Sequence, residues 1–212
     1  MLFLEKEHQS SGANRPMSAF ENIVYEKDNG IAYITLNRPK ALNAVNIRMR
    51  DELYEVLPAV KDDPEVMVAI IKGAGERAFS AGADISEFGT TPSQTIARQV
   101  RWERDLWGMF LSVQKPLIAA IHGFALGAGI EMAMCCDMRI ISEDAQLGLP
   151  EANLGMIPTA GGSQTMPRLV HLGQVSEIIF TADRIDAQEA LRIGLVNQVV
   201  PRDNLIPTAE AV

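Results

Sequence analysis

The sequence predicts an α/β protein with one core domain, and three observations carry that prediction. Residues 66–71 and 117–121 are continuous apolar runs of strand length, as strands buried on both faces require. Stretches with apolar residues at helical spacing alternate with them, the pattern of an α/β fold. Glycine-rich, small-residue loops follow two of the runs, at residues 73–89 and 123–129. With 212 residues and 47% hydrophobic content the chain has enough material for a sizeable core.

Taken in order, residues 20–25 and 31–36 read as two short strands joined through Asn29-Gly30, a strong hairpin signal. Asn37-Arg38-Pro39 ends that pairing. Over residues 46–60, Met49, Leu53, Val56, Leu57 and Val60 recur at helical spacing, and Pro58 predicts a kink or an early stop. The run 66–71 is a buried strand, β-branched at Val66, Val68, Ile70 and Ile71. Residues 73–89 read as loop. Residues 93–113 read as one helix through Ile96, Val100, Leu106, Phe110 and Val113, ended by Pro116. After the strand 117–121 comes a short helix, 129–136, apolar on nearly all sides, and then a strand at 139–142. Residues 150–157 hold a short helix or loop, Gly161-Gly162 opens a further helix, and 175–182 continue in helical pattern. The stretch 186–193 is helical with Gly194 as its cap, and 196–200 is the last strand.

Composition narrows the function. The chain has 19 basic and 27 acidic residues, a formal charge of −8, which weighs against nucleic acid or an anionic membrane surface as partner. No apolar run approaches the roughly 20 residues of a membrane helix. Two adjacent cysteines, Cys135 and Cys136, make no disulfide framework, so a reducing, cytoplasmic compartment is expected. Residues 1–18 read as neither signal nor transit peptide and are expected to be a disordered extension ahead of a core domain at 19–212. His8, His122 and His171 are far apart in sequence, and no metal site is expected. Gly73-Ala74-Gly75-Glu76-Arg77-Ala78 matches a dinucleotide-binding fingerprint, but that fingerprint must open a helix and no helical period follows.

Two loops and two carboxylates remain. Leu126-Gly127-Ala128-Gly129 leads into a helix, where small residues let backbone N–H groups approach a ligand that gathers negative charge. Phe79-Ser80-Ala81-Gly82-Ala83-Asp84 is a second small-residue loop after another strand. Each is by itself an ordinary tight turn; together they can offer two N–H donors to one oxygen, an oxyanion hole. Glu131 sits in an apolar helix, and Glu151 in the apolar setting Leu149-Pro150-Glu151-Ala152. Each either pairs with an arginine such as Arg139 or Arg168 for structure or, if the two share a pocket, holds one proton between them for acid/base work on water. Trp102 and Trp107 lie between the two loops, placed to shape a pocket or to pack in a core or interface.

Several ordered motifs resemble the enoyl-CoA hydratase/isomerase (crotonase) family over residues 20–205. They are Leu36-Asn37-Arg38-Pro39-Lys40-Ala41-Leu42-Asn43-Ala44, Phe79-Ser80-Ala81-Gly82-Ala83-Asp84-Ile85, His122-Gly123-Phe124-Ala125-Leu126-Gly127-Ala128-Gly129-Ile130-Glu131, Leu149-Pro150-Glu151, Gly155-Met156-Ile157-Pro158 and Ala160-Gly161-Gly162. The resemblance implies a ββα spiral core, a homotrimer or dimer of trimers, and an acyl-CoA thioester as substrate, with coenzyme A as part of that substrate and no separate cofactor. It implies that Ala83 and Ala128 supply the oxyanion-hole N–H groups. Lys40, Ala44, Ala81, Asp84 and Ile85 fall where the family contacts CoA, and Phe88 and Thr159 near the acyl pocket. Carboxylates at both Glu131 and Glu151 resemble the hydratases, so hydration of a 2-enoyl-CoA is expected. Glu151 is expected to protonate the α-carbon while Glu131 activates the water. The alternatives are isomerisation, hydration of a cyclic dienoyl-CoA, dehydration of a carnitinyl-CoA, or a shortened, non-catalytic binding or assembly member. Departures from the family pattern are Ala128 and Thr159, where glycine is frequent, and Ser86 and Thr165, where a basic residue is frequent. The resemblance also implies a C-terminal helical part, whereas the sequence stops at Val212, as a piece of a longer protein, one with a disordered last part or a truncated member would.

Overall fold

The computed structural model describes residues 20–212. The expected disordered extension at 1–18 lies outside the described residues. The strands are β1 (Ile23–Asp28), β2 (Ile31–Leu36), β3 (Val68–Gly73), β4 (Ala78–Ser80), β5 (Leu117–Ile121), β6 (Phe124–Leu126), β7 (Met138–Ser142), β8 (Gln146–Gly148), β9 (Ile185–Asp186) and β10 (Gln198–Val200). The helices are α1 (Ile47–Asp62), α2 (Gln94–Glu103), α3 (Leu106–Ser112), α4 (Ala128–Met134), α5 (Gly162–Leu169), α6 (Leu172–Thr181), α7 (Ala187–Arg192) and α8 (Leu205–Ala211). Short 3-10 turns at Pro39–Ala41, Ile85–Glu87, Pro150–Leu154 and Arg202–Asn204 link them.

Two sheets form. The larger has the order β1-β2-β3-β5-β7-β10, and the smaller β4-β6-β8-β9. The hairpin β1–β2 is antiparallel, with Asp28 opposite Ile31 across Asn29-Gly30, both of which take positive φ. From β2 onward the large sheet is parallel. Each circuit of the chain gives one strand to each sheet and then a helical segment: β3, β4, α2 and α3; β5, β6 and α4; β7, β8 and the turn Pro150–Leu154. This is the ββα spiral that the resemblance implies.

Burial explains why the central strands read as unbroken apolar runs. Ala69 and Ile71 of β3 face the main core with Leu53, Leu57, Phe79 and Phe110, while Ile70 faces a second cluster closed by Leu205 and Ala209 of α8. Both faces of the large sheet are therefore covered, so the polar alternation of a half-exposed strand is absent.

Several sequence expectations are corrected. The helix over α1 continues four residues past Pro58 to Asp62, because buried Leu57 and Val60 hold its last turns against the core. The single helix expected over 93–113 is two helices. Asp105 accepts from Gly108 N at 3.0 Å and caps a new start, whereas Ser93 caps the first helix. The loop at 73–89 contains β4, and β6, β8, β9 and α8 were not foreseen. The dinucleotide-like fingerprint leads into β4 and not into a helix.

Candidate active site

A cavity of about 650 Å³ opens between the ends of the small sheet, α2 and the turn after β8. Ala81, Gly82, Ala83 and Asp84 line it together with Gly127, Ala128 and Glu131. Glu151, Met156, Thr159 and Ala160 also line it, as do Phe88, Ile96, Val100 and Trp107.

The two small-residue loops meet here. Val45 N donates to Gly82 O at 2.8 Å, and Asp84 N donates to Val45 O at 3.0 Å. A trans peptide holds its C=O and N–H in opposite directions, so tying Gly82 O to Val45 aims Ala83 N–H away from Val45. In the second loop Gly127 O accepts from Glu131 N at 3.0 Å, the first bond of α4. Ala128 N–H therefore points back out of the helix start. Neither N–H has a backbone acceptor among the described residues. The loops touch: a Cβ on Gly82 would lie 2.8 Å from Leu126 O and 3.5 Å from Ala128 N. Gly82 at φ +101° and Gly127 at φ +50° hold backbone angles that side chains rarely adopt.

Glu151 stands beside this pair of loops. A Cβ on Gly127 would fall 2.8 Å from Glu151 Oε1, so the glycine makes room for the carboxylate. Glu151 Oε2 is buried and makes no hydrogen bond among the described residues. Burial pushes its pKa above the ordinary carboxylate value. Glu131 is 2% exposed, and its Oε1 accepts from Ala160 N at 3.0 Å and Gly162 N at 2.7 Å. Burial outweighs those two donors, and the nearby charge of Glu151 adds to it, pushing the Glu131 carboxyl up to about 7.

Among the described residues neither glutamate has an arginine ion-pair partner, which corrects the structural alternative for both. Arg139 is buried and donates to the carbonyls of Leu195 and Cys136 at 2.7 Å each. Arg168 donates to Gln164 O in its own helix.

Of the residues that the resemblance assigns to CoA, Ala81, Asp84 and Ile85 line the cavity. Lys40 lies on the 3-10 turn Pro39–Ala41 and Ala44 follows it, both outside the lining. Arg38 connects these groups: it pairs with Asp84 at 2.9 Å and donates to Ala44 O at 2.6 Å. Ser86 and Arg38 together hold the Asp84 carboxyl below its usual value. Phe88 and Thr159 both line the cavity, as does Trp107, whose ring stacks on Phe110 with centroids 6.3 Å apart. Trp102 instead is 75% exposed beside Arg98. Sequence reasoning missed Ala160 and Gly162 as donors to Glu131. The Gly161-Gly162 pair was the available signal, since a Cβ on Gly162 would sit 3.0 Å from Glu131 Oε1.

The fold and this cavity define a class of protein in which paired main-chain donors, a buried carboxylate and a half-buried one line a single cavity. The profile of the enoyl-CoA hydratase/isomerase family matches residues 26–212. A crotonyl-CoA hydratase of Syntrophomonas wolfei is 43% identical over 92% of this chain and 75% of its own length. A short-chain-enoyl-CoA hydratase of Clostridium acetobutylicum is 44% identical over 90% of this chain and 73% of its own. The crystal structure of an enoyl-CoA hydratase from Bacillus anthracis superimposes with a TM-score of 0.84 at 39% identity, covering 90% of this chain and 74% of that one. The chain belongs to the enoyl-CoA hydratase/isomerase family. It spans about three quarters of the length of these relatives.

Proposed function

We propose that this protein is a hydro-lyase that adds water across the double bond of a 2-enoyl-CoA thioester to give a 3-hydroxyacyl-CoA. The observation that carries the reading is the convergence of Glu131 and Glu151 on one cavity with the free N–H groups of Ala83 and Ala128. The relatives named crotonyl-CoA hydratase and short-chain-enoyl-CoA hydratase support the same reaction.

In this reading the thioester oxygen sits between the two N–H donors. Water bonds to the β-carbon, and the electron pair of the double bond moves toward that oxygen as an enolate. Each donor is worth about 3 kcal/mol to that transition state. Glu131, with Oε1 held by Ala160 and Gly162, turns its other oxygen to the water and takes its proton. Glu151 delivers a proton to the α-carbon, and the proton on Glu131 returns to it, so the pair ends as it began. A carboxyl near 7 suits a group that must both take and release a proton.

Assembly as a homotrimer or dimer of trimers belongs to the same proposal. The turn Pro150–Leu154 and helices α5 and α6 pack on one another, and Ile157, Leu172 and Phe180 are 68%, 69% and 78% exposed there. Light scattering after gel filtration measures it. A cytoplasmic location is also proposed, supported by two free, buried cysteines. No helix among the described residues is long and apolar enough to cross a membrane.

The test is loss of the conjugated enoyl-thioester absorbance with crotonyl-CoA, for the unaltered protein and for Glu151→Gln. Rapid loss that the substitution abolishes supports hydration through that carboxylate. Thioester binding without turnover rejects simple crotonyl hydration in favour of another enolate reaction.

A further inference from the structure

We infer that Ser80 is a positioning residue that locks the Ala83 and Ala128 N–H donors into one geometry. The inference rests on the hydratase reading and deepens it.

Ser80 is fully buried at the end of β4, where its neighbours Ala78 and Phe79 are apolar. It does not line the cavity. Its Oγ donates to Asn43 O at 2.8 Å and accepts from Gly82 N at 3.3 Å. Asn43 is a fixed point. It too is fully buried, its amide donates to Ala74 O at 2.9 Å and Ala78 O at 2.8 Å, and its Oδ1 accepts from Arg38 N at 2.9 Å. Gly82 is thus tied at its N–H to Ser80 and at its C=O to Val45. Those two ties set the direction in which the next amide, Ala83 N–H, points.

The other flank of Ser80 meets the second donor. Gly129 follows Ala128 in the first turn of α4. A Cβ on Gly129 would lie 2.9 Å from Ser80 Cβ and inside contact distance of the Ser80 carbonyl. Ser80 therefore holds the first loop by a hydrogen bond and stands against the second by close packing. One residue fixes the spacing between two donors that lie 45 positions apart in the chain. Two donors aimed at one oxygen stabilise an enolate only at the right separation, and a misplacement of about 1 Å can cost on the order of a hundredfold in rate.

The experiment compares Ser80→Ala with Val56→Ala, which cuts the buried face of α1 and removes none of these hydrogen bonds. Two quantities are read on folded protein: kcat and KM for crotonyl-CoA, and the absorption of bound cinnamoyl-CoA, whose carbonyl polarisation moves its band to longer wavelength. Ser80→Ala is expected to lower kcat about tenfold or more with KM within about twofold, and to shrink the red shift. Val56→Ala is expected to lower the unfolding temperature and leave both readouts unchanged. Should Ser80→Ala not fold, Ser80→Cys keeps a weak donor in place and is expected to give values between the two. Full red shift and full kcat in folded Ser80→Ala or Ser80→Cys overturns the inference alone, as does equal loss in Val56→Ala. An unaltered protein that binds cinnamoyl-CoA with no red shift overturns the hydratase reading and this inference with it.

Discussion

Replacing Glu131 with glutamine removes a carboxylate that the fold holds at an electrostatic cost. Glu131 is 2% exposed, and its carboxyl is pushed from an ordinary 4.5 up to about 7. The folded state therefore binds a proton more tightly than the unfolded state. Between these two values the native carboxyl is protonated while the unfolded one is ionised, so stability falls as pH rises through that window. At about 1.4 kcal/mol per pH unit, the cost of the buried group is about 1.4 kcal/mol at pH of about 5.5. It is about 3.4 kcal/mol at pH of about 8.5. Glutamine keeps an oxygen to accept from Ala160 N and Gly162 N but has no proton to gain or lose. The stability of Glu131→Gln relative to the unaltered protein should then rise by about 2 kcal/mol between those two pH values. Urea unfolding of both proteins at both pH values measures it, at one protein concentration because assembly shifts apparent stability. The other titrating groups are common to both proteins and cancel from the difference, apart from Glu151, whose charge acts on Glu131. A difference that is the same at both pH values would refute the argument, since the carboxyl would then titrate alike folded and unfolded.

Gly127→Ala puts a methyl 2.8 Å from Glu151 Oε1 at a φ of +50°. It should lower kcat by about a hundredfold or more while costing about 1–3 kcal/mol in stability, read by crotonyl-CoA assay and urea midpoint. Glu52→Ala tests the opposite separation. This buried carboxylate accepts from Glu21 N and Asn22 N at 2.8 Å each and from Arg48 at 2.8 Å, away from the cavity. Its loss should cost about 2 kcal/mol in the same unfolding measurement with kcat unchanged, because the amides it satisfied are left without partners.

Long elements were legible along the chain because period and burial agree there. The strand at Leu117–Ile121 and the hairpin at Asn29-Gly30 stood out, since a doubly buried strand is an unbroken apolar run and positive φ at a tight turn selects asparagine and glycine. The small sheet was not legible. Strands β4, β6, β8 and β9 have two or three residues each, too few to show alternation, and they exist as strands through pairing with one another. The break between α2 and α3 turned on one capping side chain, Asp105, inside an otherwise continuous period.

Residue types alone singled out Glu131 and Glu151 as carboxylates in apolar settings and marked the two loops as small enough for close approach. The tertiary structure alone decided that they form one site. Each arginine that might have neutralised a glutamate turned out to serve backbone carbonyls. The spiral stacks β4, β6 and β8 side by side, so the loops that follow them, far apart in the chain, open into one cavity. Desolvation, donor spacing and the room that a missing Cβ leaves depend on distances across that stack, and a linear order of residues holds none of them.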